Sequence, residues 1–154
     1  MTDWPILSTI TFLPLLGAAF ILLIRGDEAT IARNSRHVAL WTTLVTFALS
    51  LVLIFSFDTT TAAFQFEEYT PWLPEYGIGY HLGVDGISVF FLLLTTFLVP
   101  ICIISCWDSV KTRVREYMLA FLILETLMVG VFSSLDMLMF YIFFEGQLIP
   151  MFLI

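Results

Sequence analysis

Five long apolar runs dominate this chain, and each is close to the length a bilayer demands. They extend from Pro5 to Ile24, Val38 to Phe57, about Leu82 to Ser105, Tyr117 to Leu135 and Met137 to Ile154. A transmembrane helix needs about 20 predominantly apolar residues. The runs are continuous rather than alternating, which favours helices over barrel strands. In lipid, backbone polar groups must be satisfied within helices or a closed barrel, so few other folds are open to such a chain. The sequence predicts an all-α, multi-span transmembrane helical bundle of about five helices, forming a single membrane domain over residues 1–154. The chain is 60% hydrophobic and only 12% charged, against about 25% charged in a soluble domain. The start, Met1-Thr-Asp-Trp-Pro5, lacks the basic n-region of a cleaved signal peptide, so the first run reads as a retained span.

The basic residues give the expected topology. All six are Arg25, Arg33, Arg36, Lys111, Arg113 and Arg115. Three fall between spans one and two, and three between spans three and four. The positive-inside rule puts both loops on the cytoplasmic or matrix side. The N-terminus, the 58–80 connection and the Asp136 turn then face outward. The net charge is −7, but the few basic residues form no large patch, which argues against nucleic-acid binding.

The outer connection from Asp58 to Tyr80 holds Asp58, Glu67, Glu68 and Glu75 and no basic residue. Its aromatics, among them Phe64, Tyr69, Trp72 and Tyr76, suit the interfacial belt. It reads as an interfacial loop lying on the bundle, in which the alternation Phe64-Gln-Phe66-Glu admits a short strand. His37 and His81 sit at span ends and read as interfacial. Cys102 and Cys106 lie four apart, yet two ligands without a nearby His are too few for a metal site. They read as buried thiols, and no metal is expected. Gly77-Ile-Gly79-Tyr-His-Leu-Gly83 has the wrong spacing for a dinucleotide loop and no βαβ unit around it.

Four acids lie in or beside the spans: Asp85, Glu125, Asp136 and Glu145. Asp85 and Asp136 lie near the outer surface, where snorkelling or a helix N-terminal role competes with function. Glu125 and Glu145 are different. A carboxylate at bilayer depth costs about 3 kcal/mol even on the lower insertion scales, and such groups usually line ion paths or face partner charges. Each lies eight residues inside its span, roughly 12 Å at the helical rise. Their hairpin turns near Leu135, so both carboxyls are expected at similar depth. Whether they face each other is left open by the sequence; a facing pair would titrate together. No intramembrane Lys, Arg or His balances them. Either burial keeps them neutral, or the counter-charge comes from protein outside this chain. A moving Lys would shift such a carboxyl by several pKa units, the physical basis of a switchable proton relay.

Prolines loosen the helices at defined places. Pro150 has no N–H and frees the Gly146 carbonyl directly after Glu145, while Gly146 itself weakens the helix. Pro100 similarly frees Thr96, and Pro14 frees Ile10.

Two segments carry a family pattern. Tyr80-His-Leu-Gly-Val-Asp-Gly-Ile-Ser88 opens span three, and Ser134-Leu-Asp-Met-Leu-Met-Phe-Tyr-Ile-Phe-Phe-Glu-Gly-Gln-Leu-Ile-Pro-Met151 covers the last turn and span five. Together they closely resemble chain M of bacterial NADH–quinone oxidoreductase (respiratory complex I), the counterpart of mitochondrial subunit 4. Thr-Phe-Leu-Pro14 and Arg-Asn-Ser-Arg36 look similar to alphaproteobacterial members. The resemblance implies an antiporter-like, non-redox subunit of the membrane arm, coupling NADH-to-quinone electron transfer to proton translocation. It implies that Glu145 is the proton-relay residue, paired in the family with a Lys on a later helix. Asp85 and Asp136 match family acids. Glu125 matches no family residue of known role and stands as an accessory proton site on the depth argument alone. No cofactor is expected in this chain; NADH, FMN, iron–sulfur clusters and quinone would belong to other parts of the complex. Expected partners are the other membrane-arm subunits and the lipid bilayer. The expected location is the bacterial inner membrane, or the mitochondrial inner membrane if organellar, with the N-terminus outside. Family members have many more helices, so the chain reads as an N-terminal portion that would be inactive alone. A subunit of a cation/proton antiporter or membrane-bound hydrogenase, or a small non-catalytic scaffold, remains an alternative.

Overall fold

The computed structural model describes residues 4–154; the expected outward placement of Met1–Asp3 concerns residues outside that range. Four helices are long and apolar enough to cross a membrane, followed by a shorter apolar helical stretch over Met137–Leu153. Helix α1 is Ile6–Leu23, α2 Glu28–Phe55, α3 Ser88–Ser105 and α4 Val114–Ser133. Helices α1 and α3 each pack against both α2 and α4, and α2 also meets α4 across the bundle. In α1 the buried positions Leu7, Ile10, Thr11, Pro14, Gly17, Ala18 and Ile21 recur at intervals of three and four. That spacing turns one face inward and leaves Leu16, Phe20 and Leu23 on the outside, as a lipid-facing helix requires.

Helix α2 corrects the expected start at Val38. Asp27 caps it: its carboxylate accepts from the Thr30 backbone N–H at 3.4 Å and the Thr30 hydroxyl at 2.7 Å. The helix therefore begins at Glu28, before the apolar run does. Its 28 residues give about 42 Å of length, beyond a hydrocarbon core of about 30 Å. Arg33 and Arg36, expected in a loop, ride on its first turns.

Span three starts at Ser88 rather than Leu82, because Leu82–Val84 belongs to a strand. The outer connection is an antiparallel hairpin and not a loop. Strand β1 is Gln65–Leu73 and β2 is Ile78–Val84, with Tyr69 opposite His81 and Thr70 opposite Tyr80. A short 3-10 turn over Pro74–Tyr76 joins them and closes on Gly77 at φ 67°, a left-handed conformation that glycine adopts without penalty. The expected alternation around Phe64–Glu67 marks only the start of the first strand.

Three contacts fasten this hairpin over the outer end of the bundle. The Glu68 carboxylate accepts from the Leu7 N–H at 2.9 Å, the Ser8 N–H at 3.1 Å and the Ser8 hydroxyl. It thus caps α1, whose first N–H groups have no intrahelical partner. The Leu135 N–H donates to the His81 carbonyl at 2.9 Å. The Gly79 N–H donates to Asp136 at 3.3 Å.

Span five is helical but broken. Helix α5 covers Met137–Gly146 and α6 covers Leu148–Leu153, with Gln147 between them. Pro150 removes the N–H that would have met the Gly146 carbonyl, and the break falls there. Both pieces rest on α4, and α5 also touches β2.

The core has two apolar clusters along the bundle axis. The outer one gathers Leu7, Ile10, Leu53, Leu82, Val84, Val89, Leu92, Val129, Met139 and Phe143. The inner one gathers Ala18, Ile21, Ala39, Val99, Ile103, Val114, Met118, Phe121 and Leu122. The basic residues collect at the inner end. Arg36 donates to the Val110 carbonyl at 2.7 Å, and Arg115 donates to the Leu22 carbonyl. These bonds draw the two basic segments together.

Candidate functional site

Glu145 lies on α5, one residue before Gly146 and two before the break at Gln147. Its neighbours Phe144 and Leu148 are exposed, and Glu145 is itself open on the outer face of the bundle. Phe143 turns the other way, against Gly130 of α4. Among the described residues, no cation lies in salt-bridge range of Glu145. The carboxyl is thus presented away from α1–α4, beside a carbonyl that Pro150 leaves without its helical donor.

Glu125 has the opposite surroundings. It is 0% exposed, on the inward face of α4 with Leu122 and Val129. Neither carboxyl oxygen has a hydrogen-bond partner among the described residues. Glu125 lies eight residues from Ser133, and Glu145 eight from Met137, so both stand roughly 12 Å below the outer helix ends. The two glutamates share depth but not an environment: one points into the bundle and the other out of it. No hydrogen bond joins them.

Asp85 and Asp136 are helix-capping groups. Asp85 accepts from the Ser88 N–H at 2.7 Å and the Ile87 N–H at 3.1 Å, while the Ser88 hydroxyl accepts from the Asp85 N–H at 2.9 Å. The Ser88 backbone bond is the chief reason the Asp85 carboxyl lies below the usual 3.8. Asp136 accepts from Leu138 and Met139 N–H groups at 2.9 and 3.1 Å. The Met139 bond leads the causes that hold its carboxyl below 3.8, with the Gly79 bond a smaller one. A carboxylate accepting several backbone N–H bonds favours its charged form. Both acids therefore fix where α3 and α5 begin.

His81 pairs with Glu67 at 3.1 Å on the outer hairpin, and His37 stacks edge-on against Trp107 at the inner end. Cys102 and Cys106 are free thiols, and the Cys106 sulfur lies 3.2 Å from the Tyr117 hydroxyl. No group of three metal-ligating side chains occurs among the described residues. A cleft of about 410 Å³ at the inner end is lined by Lys111, Arg113 and Arg115 together with Glu28 and Glu116, remote from both carboxyls.

Sequence reasoning missed the Glu68 cap on α1 and the buried hydroxyls of α1–α4. The second had a signal: Thr43, Thr46 and Ser50 recur at intervals of three and four within an apolar run.

These features define an integral membrane helical protein with two carboxyls part-way along its apolar helices. Residues 29–132 match the family model described as NADH-ubiquinone oxidoreductase chain 4, amino terminus, and the chain belongs to that family. It is 53% identical over 150 residues to NADH-quinone oxidoreductase subunit M of Rhodobacter capsulatus, covering 97% of this chain and 29% of the relative. It is 49% identical over 148 residues to NADH-ubiquinone oxidoreductase chain 4 of Marchantia polymorpha, covering 96% of this chain and 29% of that one. The fold is similar to a chain in the structure of respiratory complex I from Thermus thermophilus with bound NADH. That likeness has a TM-score of 0.74 and 28% identity, over 96% of this chain and 28% of the other. The chain thus spans less than a third of the length of these relatives.

Proposed function

We propose that this chain forms the N-terminal part of a membrane-arm subunit of a proton-translocating NADH:quinone oxidoreductase. Glu145 is its proton-relay carboxyl. The observation that carries the reading is the placement of Glu145: a carboxyl at bilayer depth, turned away from α1–α4, beside a proline-broken turn. Broken membrane helices admit polar groups where they line protein or water, and such a turn beside a carboxyl suits proton exchange. A cation approaching the outer face favours the charged carboxylate; its withdrawal favours the proton. In this reading the cation comes from protein beyond α6, and NADH, FMN, iron–sulfur clusters and quinone belong to other subunits. The partners are neighbouring membrane-arm subunits and lipid. The basic end faces the cytoplasm or matrix, and the hairpin faces outward.

Affinity isolation of the intact subunit from detergent-solubilised membranes tests the assignment. Flavin, iron–sulfur subunits and NADH:quinone reductase activity are expected to co-purify. An isolate with sodium–proton or hydrogenase activity and no NADH oxidation would assign the chain to an antiporter or hydrogenase instead. Topology is checked by single cysteines labelled with a membrane-impermeant reagent, in a Cys102→Ala, Cys106→Ala background. Thr61→Cys is expected to react from outside, and Lys111→Cys only after the membrane is opened.

A further inference from the structure

The buried face of α1–α4 carries a polar layer between its two apolar clusters. On α1, Thr11 lies between Ile10 of the outer cluster and Ala18 of the inner one. On α2, Thr43, Thr46 and Ser50 lie between Ala39 and Leu53. On α3, Thr95 and Thr96 lie between Leu92 and Val99. On α4, Glu125 and Thr126 lie between Leu122 and Val129. Each of these side chains is no more than 4% exposed. Four helices therefore bring hydroxyls to the level at which Glu125 is buried without a partner.

Most of these hydroxyls are already engaged, and none of them bonds Glu125. Thr11 donates to the Leu7 carbonyl, Thr43 to Leu40, Thr46 to Thr42 and Thr95 to Phe91, at 2.8–3.0 Å. Ser50 and Thr96 reach the Phe47 and Leu93 carbonyls and each other, the last at 2.7 Å. A hydroxyl has one proton and two lone pairs. These hydroxyls are thus satisfied within the helices and by each other. Pro100 adds another acceptor by freeing the Thr96 carbonyl. Among the described residues the Thr126 hydroxyl has no partner, and neither do the Glu125 oxygens. An ionised carboxylate buried there, with no hydrogen bond and no cation, is costly; the protonated carboxyl has no charge to desolvate.

No other charged group among the described residues stands inside the bundle at this level. Helix α1 has no ionisable side chain, and those of α2 (Glu28, Arg33, Arg36 and His37) lie in its first three turns. Helix α3 has only Cys102; α4 has Arg115, Glu116 and Tyr117 at its inner end. On α5, Tyr141 and Glu145 are exposed on the opposite side, and α6 has none.

We infer that Glu125 is a second proton-holding site, separate from Glu145, in which a carboxyl enclosed by the bundle without a partner or a counter-charge carries a proton. The ligand is a proton rather than a metal cation. A proton bonds to one carboxyl oxygen and needs no coordination shell, whereas a hard cation needs about six oxygens arranged around it. The inference rests on the bundle's interior and not on the pumping assignment.

Infrared spectra of the assembled enzyme, in water and after exchange into deuterium oxide, test it. A wild-type minus Glu125→Gln difference is expected to show one lost band: the carbonyl stretch of a protonated carboxylic acid, shifting down on deuteration. Glu125→Asp is expected to move that band without removing it. Loss of carboxylate stretches in place of the acid band would overturn the inference. So would an acid band that sodium abolishes at constant pH, which would mark a cation site. These spectra do not depend on NADH turnover, so failure here and failure of the assigned function are separable.

Discussion

Glu68 gathers two backbone N–H groups and a hydroxyl from the first turn of α1. Hydrogen bonds to charged groups contribute more than neutral ones, and losing this acceptor orphans donors at a half-buried helix end. Glu68→Ala is therefore expected to destabilise the outer end by about 2 kcal/mol. Faster exchange of the Leu7 and Ser8 amides, measured by hydrogen–deuterium mass spectrometry, is the check; unchanged protection would refute the cap. Asp85 and Asp136 extend the same logic to pH. Their carboxyls lie below the ordinary 3.8 in the folded protein, chiefly through the Ser88 and Met139 backbone bonds. The folded state thus binds fewer protons than the unfolded state as pH falls past 3.8. The stabilisation is present above that pH and is lost as pH drops through the lower folded values. Protection at the starts of α3 and α5 should persist at pH 5 and decline below 3.8, more weakly in Asp136→Asn. At this scale the sequence was partly legible. Glu145 stands out because a carboxylate amid phenylalanines has few structural uses, but nothing in one sequence tells an inward glutamate from an outward one.

The elements show why some boundaries read easily and others did not. Apolar runs marked the spans, yet Asp27 starts α2 ten residues before the expected Val38, and hydropathy does not register a cap. The outer strands were obscured because interfacial aromatics such as Tyr69 and Trp72 fit a loop as well as a hairpin. The break in span five was legible, since Gly146 and Pro150 act through the backbone regardless of packing. Gly130 illustrates what only packing reveals. A Cβ there would lie 2.6 Å from the Phe143 ring, so α5 sits against bare α4 backbone. Gly130→Ala is expected to displace α5 at a cost of about 1–3 kcal/mol, as overpacked contacts do. Cysteine cross-linking between α4 and α5 should fall in that variant while α1–α2 cross-linking is unchanged; equal yields would contradict the contact.

At the scale of the whole molecule, the bundle is polarised end to end. The hairpin and its carboxylates close one end, while Arg36 and Arg115 tie the basic segments together at the other. This polarity was legible from six basic residues alone, because charge is excluded from lipid wherever the helices pack. Between the ends, Glu125 is enclosed by four helices and Glu145 is open. The exposed face of α5 and α6, with Phe152 at 90% exposure, lies toward the remainder of the family's length in the proposed account. The decisive measurement is the number of protons translocated per NADH oxidised by the assembled enzyme in sealed vesicles carrying Glu145→Gln. The account predicts loss of most pumping and a strong fall in coupled turnover, with assembly unchanged. Wild-type proton yield from a fully assembled Glu145→Gln enzyme would contradict it.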